Sequence, residues 1–296
     1  MRRSRIGRGF TLIELMIVVG VIAILMSITI PVAARVRAQG KSAACKSNLR
    51  CIGMGLIAYQ QDNADYVVPS YNMWGTAGGA DCSLDGWAPI LDRDKVVPGN
   101  REYQGNIYAC PAMLDIDGVK TGQTGTDPDN PKGYMDWPNL RLGSQMQAVT
   151  IPQWGFNKII RVAYWINADN PIGALTSVNN GQYYTASAGY GPGSNGLLMT
   201  ANKASVFASP STLIALADGV YAGKHSTARI GTANCRIGYR HPGGPGTANL
   251  LFADTHVASV DGNSFPRTRG AASLETIRAE NAAMTIYANT RTSLAP

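Results

Sequence analysis

Two of the three histidines in the 296 residues, His241 and His256, flank Asp254, and a further carboxylate, Asp218, ends the apolar run Leu213–Ala217. Two imidazoles with one or two carboxylates can bind Zn²⁺ or a similar divalent ion. They can instead form a structural polar cluster, in which Asp254 caps the hairpin while His241 hydrogen-bonds to it and pins the Gly-Pro loop. Catalysis is not expected. There is no GxSxG, no HExxH and no Cys-His pairing with a third group to orient it. The five cysteines, Cys45, Cys51, Cys82, Cys110 and Cys235, have neither zinc-knuckle nor CxxC spacing. An exported body would allow one or two disulfides and leave a thiol over.

The remaining chemically distinctive residue is Glu14, and it stands in an apolar setting. Leu12 to Ile30 is nineteen residues, apolar apart from Glu14, Gly20, Ser27 and Thr29. That length spans a hydrocarbon core. Arg2, Arg3, Arg5 and Arg8 precede it, which predicts a cytoplasmic N-terminus and an exported body. No small-residue cleavage site of the secretory kind follows. Instead the chain runs through Pro31 into a helical pattern: Val32, Val36, Cys45, Leu49, Ile52, Leu56 and Tyr59 recur at three- and four-residue spacing. The expectation is one helix about 70 Å long, apolar all round in its first half and amphipathic in its second. A carboxylate inside a membrane helix costs on the order of 3 kcal/mol. Glu14 either reaches the headgroups at the cytoplasmic end or pairs with a cation. If the chain were cut after Gly9, the new Phe10 α-amine of a neighbouring helix would supply that cation.

Composition narrows the class of the body. Hydrophobic residues make up 45% and charged residues only 15%, with 33 Gly and 16 Pro, which suits a loop-rich α+β domain better than a bundle. The net charge of +7 falls to +3 without the first nine residues, which hold four arginines (22 basic against 19 acidic). No basic stripe interleaved with aromatics remains, which argues against nucleic-acid binding.

Basic residues, then Gly-Phe-Thr-Leu-Ile-Glu, then an apolar helix with Pro31 late in it, resemble the signal of type IV prepilins and type II secretion pseudopilins. The resemblance implies a prepilin peptidase that cuts between Gly9 and Phe10 and methylates the Phe10 amine. It implies that Glu14 pairs with that amine during assembly, and that Gly20 and Pro31 mark places where the helix can bend or melt in a filament. Further stretches are similar to a large group of pilin-like proteins with a C-terminal H-X9-DG motif: CKSNLRCIGMGLIAYQQDNADYVVP, IYACPAM, SPSTLIALADG and RHPGGPGTANLLFADTHV. Twelve residues separate His241 from Asp254 instead of nine, and Thr255 stands where that group has Gly. Cys45 and Cys110 occupy positions with counterparts in the group. A disulfide between them would staple helix to sheet; a reduced, buried pair is the alternative. The pseudopilin likeness also admits Ca²⁺ in carbonyl- and carboxylate-rich turns.

These readings give an α+β, pilin-like fold, with a long helix spine packed on an antiparallel sheet. Residues 1–9 are a cleaved leader, 10–31 the membrane and filament-core helix, 32–62 its amphipathic continuation, and 63–296 the exported domain. Asn249–Ala253 and His256–Val260 are expected to form a hairpin turning at Asp254-Thr255, where Thr255 resists the positive φ of a two-residue turn. Leu213–Ala217 and the Asn106–Pro111 stretch are expected strands, and Ser273–Ala288 an expected helix. About 120–205 reads as an exposed, loop-rich insertion. Tyr183, Tyr184, Tyr190 and Trp165 in it either form a sugar-binding face or fill a local core. The function expected is a non-enzymatic subunit that polymerises with copies of itself on an assembly platform, starting in the cytoplasmic membrane and ending in a surface filament. The alternatives are a secretion pseudopilin and a membrane-anchored binding protein.

Overall fold

The structure, a computed structural model, describes residues 10–69, 71–74, 81–102, 105–116, 126–127, 130–137, 139–142, 145–148, 157–167, 187–190, 203–207, 209–220, 222–223, 237–243 and 246–261. The expected helix at Ser273–Ala288 lies outside these residues, as do Gly9, Tyr183, Tyr184 and Cys235.

Helix α1 spans Leu12–Asp62 without interruption, 51 residues, or about 76 Å at 1.5 Å per residue. Its start is a capping box. The Thr11 backbone N–H donates to Glu14 Oε2 (2.9 Å), and the Glu14 N–H donates to Thr11 Oγ1 (3.3 Å). Two of the N–H groups left over at a helix start are thereby satisfied. Ser27 donates to the Ile24 carbonyl (2.7 Å) and Thr29 to that of Leu25, so both hydroxyls are satisfied within the apolar stretch. Pro31 sits inside the helix and removes one backbone donor without ending it.

Only the second half of α1 packs on the body. Cys45, Leu49, Ile52, Gly53, Leu56, Tyr59 and Gln60 are buried at the three- and four-residue spacing read from the sequence, while Val32 and Val36 are exposed. Beyond Asn63 the chain reverses through Ala64 (φ 53) and Asp65 (φ 72). Asp65 Oδ2 accepts from the Ser205 N–H at 2.9 Å, fastening the turn to the 3₁₀ turn Ala204–Val206.

The body's other elements, in chain order, are β1 (Tyr71–Trp74), β2 (Asp81–Gly86), α2 (Trp87–Arg93), β3 (Thr126–Asp127), β4 (Asn130–Pro131), β5 (Met135–Trp137), β6 (Asn139–Leu142), β7 (Gln145–Ala148), β8 (Ile160–Val162), β9 (Tyr164–Asn167), β10 (Ser187–Tyr190), β11 (Ile214–Asp218), β12 (Ala222–Gly223), β13 (Thr247–Phe252) and β14 (Val257–Asp261). The central sheet has the order β12-β9-β11-β13-β14, antiparallel except for the β12–β9 pair. A second five-stranded sheet, β10-β1-β2-β6-β7, is antiparallel except for β1–β10.

Every residue of β11 and β9 is buried. Alternation along the strands sorts them between two faces. Tyr164, Ile166, Leu216 and Leu251 share one core with Leu49, Ile52 and Leu56 of α1. Trp165, Ala217, Leu250 and Phe252 point the other way, into a second core with Ile237 and Tyr239. Two expectations are corrected here. The stretch around 120–205 is not solely an exposed insertion, because it supplies β9, whose Trp165 fills a core, the second of the two readings open for it. Asn106–Pro111 is a turn and not a strand. The Asn106 side chain donates to the carbonyls of Asn100 and Arg161 (both 2.8 Å) and accepts from the Tyr108 N–H (3.1 Å), and that local bonding holds the turn.

Candidate metal centre

Four side chains converge between α1 and the central sheet. Cys45 points in from the helix, one turn before Leu49. Asp218 is the last residue of β11, on the helix-facing side because the register shifts between Ile214 and Leu216. Cys110 comes from the bonded turn, which α1 grips directly through Asn48 Nδ2 donating to the Ala109 carbonyl (3.1 Å). His241 lies just before β13, held by a two-way backbone bridge to Thr247 (3.0 Å each). Gly246 completes that loop at φ +98, where a Cβ would stand 2.7 Å from the Tyr239 carbonyl oxygen, so a side chain there is excluded twice.

All four residues are buried, and their ligand atoms lie within 4.8 Å of one another. Cys45 Sγ donates to Asp218 Oδ1 (3.2 Å), His241 Nε2 is 3.0 Å from Asp218 Oδ2, and Cys110 Sγ is 3.5 Å from His241 Nε2. Asp218 Oδ2 also accepts from the Asn249 N–H (2.7 Å), and the Tyr164 hydroxyl donates to Cys45 Sγ (3.6 Å).

The charges follow from this packing. Burial pushes the Cys45 thiol well up, and Cys110 and Asp218 add to it. Burial acts the same way on Cys110, but hydrogen bonds with Cys45 and His241 outweigh it and bring the group to about 7. For His241 burial opposes the charge, while Asp218 and Cys110 favour it and hold the imidazole up at about 9. Burial would raise Asp218, yet His241, Arg240 and the Asn249 N–H keep it below the usual carboxylate range.

The sequence groupings are therefore redrawn. Asp218 and His241 do meet, but Asp254 and His256 stand apart from them. His241 is paired opposite the start of β13 and Asp254 follows its end, and six extended residues separate those ends by about 17 Å. Asp254 Oδ1 instead accepts from the His256 N–H (3.1 Å) and lies 2.5 Å from its Nδ1, both side chains being exposed. His256 also stacks on Phe252, with centroids 4.1 Å apart. His241 bonds to Asp218 and not to Asp254. Cys45 and Cys110 come together as free, buried thiols, the reduced pair that was the alternative to a disulfide, and they bond also to Asp218 and His241. Tyr164 and Asn249 border the site and were not legible beforehand; the only available signal was their place in strands next to Asp218.

Glu14 lies at the far end of the molecule. Oε2 also accepts from the Thr11 hydroxyl (2.8 Å), whereas Oε1 has no partner among the described residues. From Phe10 to Val36 the large apolar side chains of α1 are exposed, and the segment is long and apolar enough to cross a membrane.

Residues 5–30 match the family model of the prokaryotic N-terminal methylation motif. Residues 5–30 thus carry a prepilin-type methylation motif, and the motif implies processing by a prepilin peptidase. With a long helix on largely antiparallel sheets, the architecture is consistent with a pilin-like fold. No curated protein and no solved structure matches the chain.

Proposed function

We propose that the protein is a structural, non-catalytic subunit of a type IV pilus-like filament, polymerising through the first half of α1 after its leader is removed. One observation carries the reading: the large apolar side chains from Phe10 to Val36 are all exposed, with none of the described body packed on them. So large an exposed apolar patch demands a cover. The membrane supplies it before assembly, and neighbouring copies of the same helix supply it afterwards. Glu14 fits this sequence of events. Its capping box uses Oε2 and leaves Oε1 for a neighbour's Phe10 amine, which exists only after cleavage.

Shearing cells and sequencing the N-terminus of the released filaments tests the proposal. Subunits starting at Phe10 are expected; a cleaved chain confined to the membrane overturns it. Substitution at Glu14 separates capping from charge pairing, because Gln retains a capping box and lacks the charge. Glu14→Gln is expected to abolish assembly as completely as Glu14→Ala; filaments of normal yield from Glu14→Gln would reduce Glu14 to a cap.

The buried Cys45, Cys110, Asp218 and His241 group favours a second reading, a membrane-anchored protein whose body carries a divalent metal. The two readings share the anchor and differ in whether copies polymerise.

A further inference from the structure

We infer that Cys45, Cys110, Asp218 and His241 together bind one zinc ion, which clamps α1 to the central sheet. The inference deepens the metal-bearing reading of the body and holds whether or not the chain polymerises.

The donor set selects the ion. Two sulfurs, one imidazole and one carboxylate suit a thiophilic, borderline cation with four ligands, and hard cations such as Ca²⁺ and Mg²⁺ prefer all-oxygen sites. Calcium, which the sequence left open, is therefore the poorer match. Size agrees as well. With zinc bond lengths of 2.0–2.3 Å, a tetrahedron has edges of about 3.3–3.8 Å. Neighbouring groups here lie 3.0, 3.2 and 3.5 Å apart, the first two through different oxygens of Asp218, and one donor atom from each residue falls within 4.8 Å of the others, so gathering the four around an ion needs shifts of up to about 1 Å.

Without an ion the cluster is poorly satisfied. One nitrogen, Nε2 of His241, faces both Asp218 and Cys110. Nδ1 is buried with no hydrogen-bond partner. A buried polar network satisfied only in part is costly; an ion bonded to Nε2, both sulfurs and one Asp218 oxygen, with release of the thiol and Nε2 protons, would satisfy those groups together, while Nδ1 would keep its N–H without a partner. Two thiolates, a carboxylate and Zn²⁺ sum to −1, and Arg240, close enough to act on both Asp218 and Cys110, supplies the balancing charge. The surroundings already orient the ligands, through the Asn249 N–H on Asp218 and the Tyr164 hydroxyl on Cys45. Such outer contacts are typical supports of a metal site.

The ion would join three segments that otherwise meet through packing and a handful of hydrogen bonds: the helix, the Cys110 turn, and the Asp218–His241 corner of the sheet. All four ligands are buried, so no position stays open for a substrate, as in structural zinc sites.

The test is elemental analysis of the full-length chain, purified in detergent without chelator, added metal or a histidine tag. One zinc per chain is expected. The Cys51→Ser/Cys82→Ser/Cys235→Ser triple variant is expected to keep it, and the Cys45→Ser/Cys110→Ser double variant to lose at least nine-tenths of it. Exchange with Co²⁺ should give a sulfur-to-cobalt charge-transfer band in the triple variant. A Cys45–Cys110 disulfide in a non-reducing digest, or a chain with no metal, overturns both the zinc assignment and the metal-bearing reading. Stoichiometric calcium without zinc overturns the assignment alone. Should the double variant fail to fold, the metal content and cobalt spectrum of the triple variant still decide.

Discussion

Replacing Gly55 by Ala and, separately, Gly40 by Ala applies one chemical change to two places on one helix. In an α-helix interior Gly→Ala stabilises by about 0.8–1.0 kcal/mol. At Gly40 an added Cβ meets nothing within 4 Å, so Gly40→Ala should return that full gain. At Gly55 the Cβ would stand 2.1 Å from Val97 Cγ2, against a comfortable carbon–carbon separation of about 3.5–4.0 Å. Val97 is 4% exposed and has little room to retreat, and its branched side chain is stiff at χ1. Overpacking of this kind costs about 1–3 kcal/mol. Gly55→Ala should therefore be less stable than Gly40→Ala by about 1–3 kcal/mol, a difference from which helix propensity cancels. Chemical unfolding of the full-length chain in detergent reads it, with the buried Trp87, Trp137 and Trp165 as fluorescent reporters. A Val97→Ala background should shrink the difference, as coupling between contacting residues requires. Equal stabilisation by the two substitutions, within about 0.5 kcal/mol, would refute the claim that Gly55 lets the helix approach the body this closely.

Thr255 takes φ +74 in the turn between β13 and β14, so Thr255→Gly should stabilise the body by about 1 kcal/mol, read as a raised unfolding midpoint. Leu49 is fully buried on the body-facing side of α1, and Leu49→Ala should cost about 2–5 kcal/mol while leaving cleavage at Gly9-Phe10 unchanged on an immunoblot. The Asp65 carboxyl sits below its ordinary range, chiefly through hydrogen bonding to Ser205. A depressed folded-state pKa contributes stability that is fully present above the unfolded value, about 3.9, and is lost as the pH falls through the folded one. Unfolding followed from pH 6 down to about 2 should show the wild type losing up to about 0.5 kcal/mol more than Asp65→Asn, a small figure because the pair is solvent-screened. An identical acid profile for the two proteins would remove Asp65 from the account.

Local patterns determined a good part of this protein from the sequence alone. The prepilin-type motif, the length of α1, its buried face from Cys45 to Tyr59 and the β13–β14 hairpin all rest on residues within a few turns or one strand of each other. Thr255 was legible as the difficult residue of that hairpin, because its resistance to positive φ is a property of its own Cβ. The tertiary structure alone decided which polar groups share a site. His241 and Asp254 are near in sequence, yet an extended strand carries them to opposite ends of the hairpin. Cys45, Cys110, Asp218 and His241 are scattered along nearly two hundred residues. They meet because the register shift in β11 turns Asp218 toward the helix, β9 of the supposed insertion completes the sheet, and Gly53 and Gly55 let α1 settle close enough to bring Cys45 within reach. Those are consequences of strand order and packing depth, which no spacing along a single chain encodes.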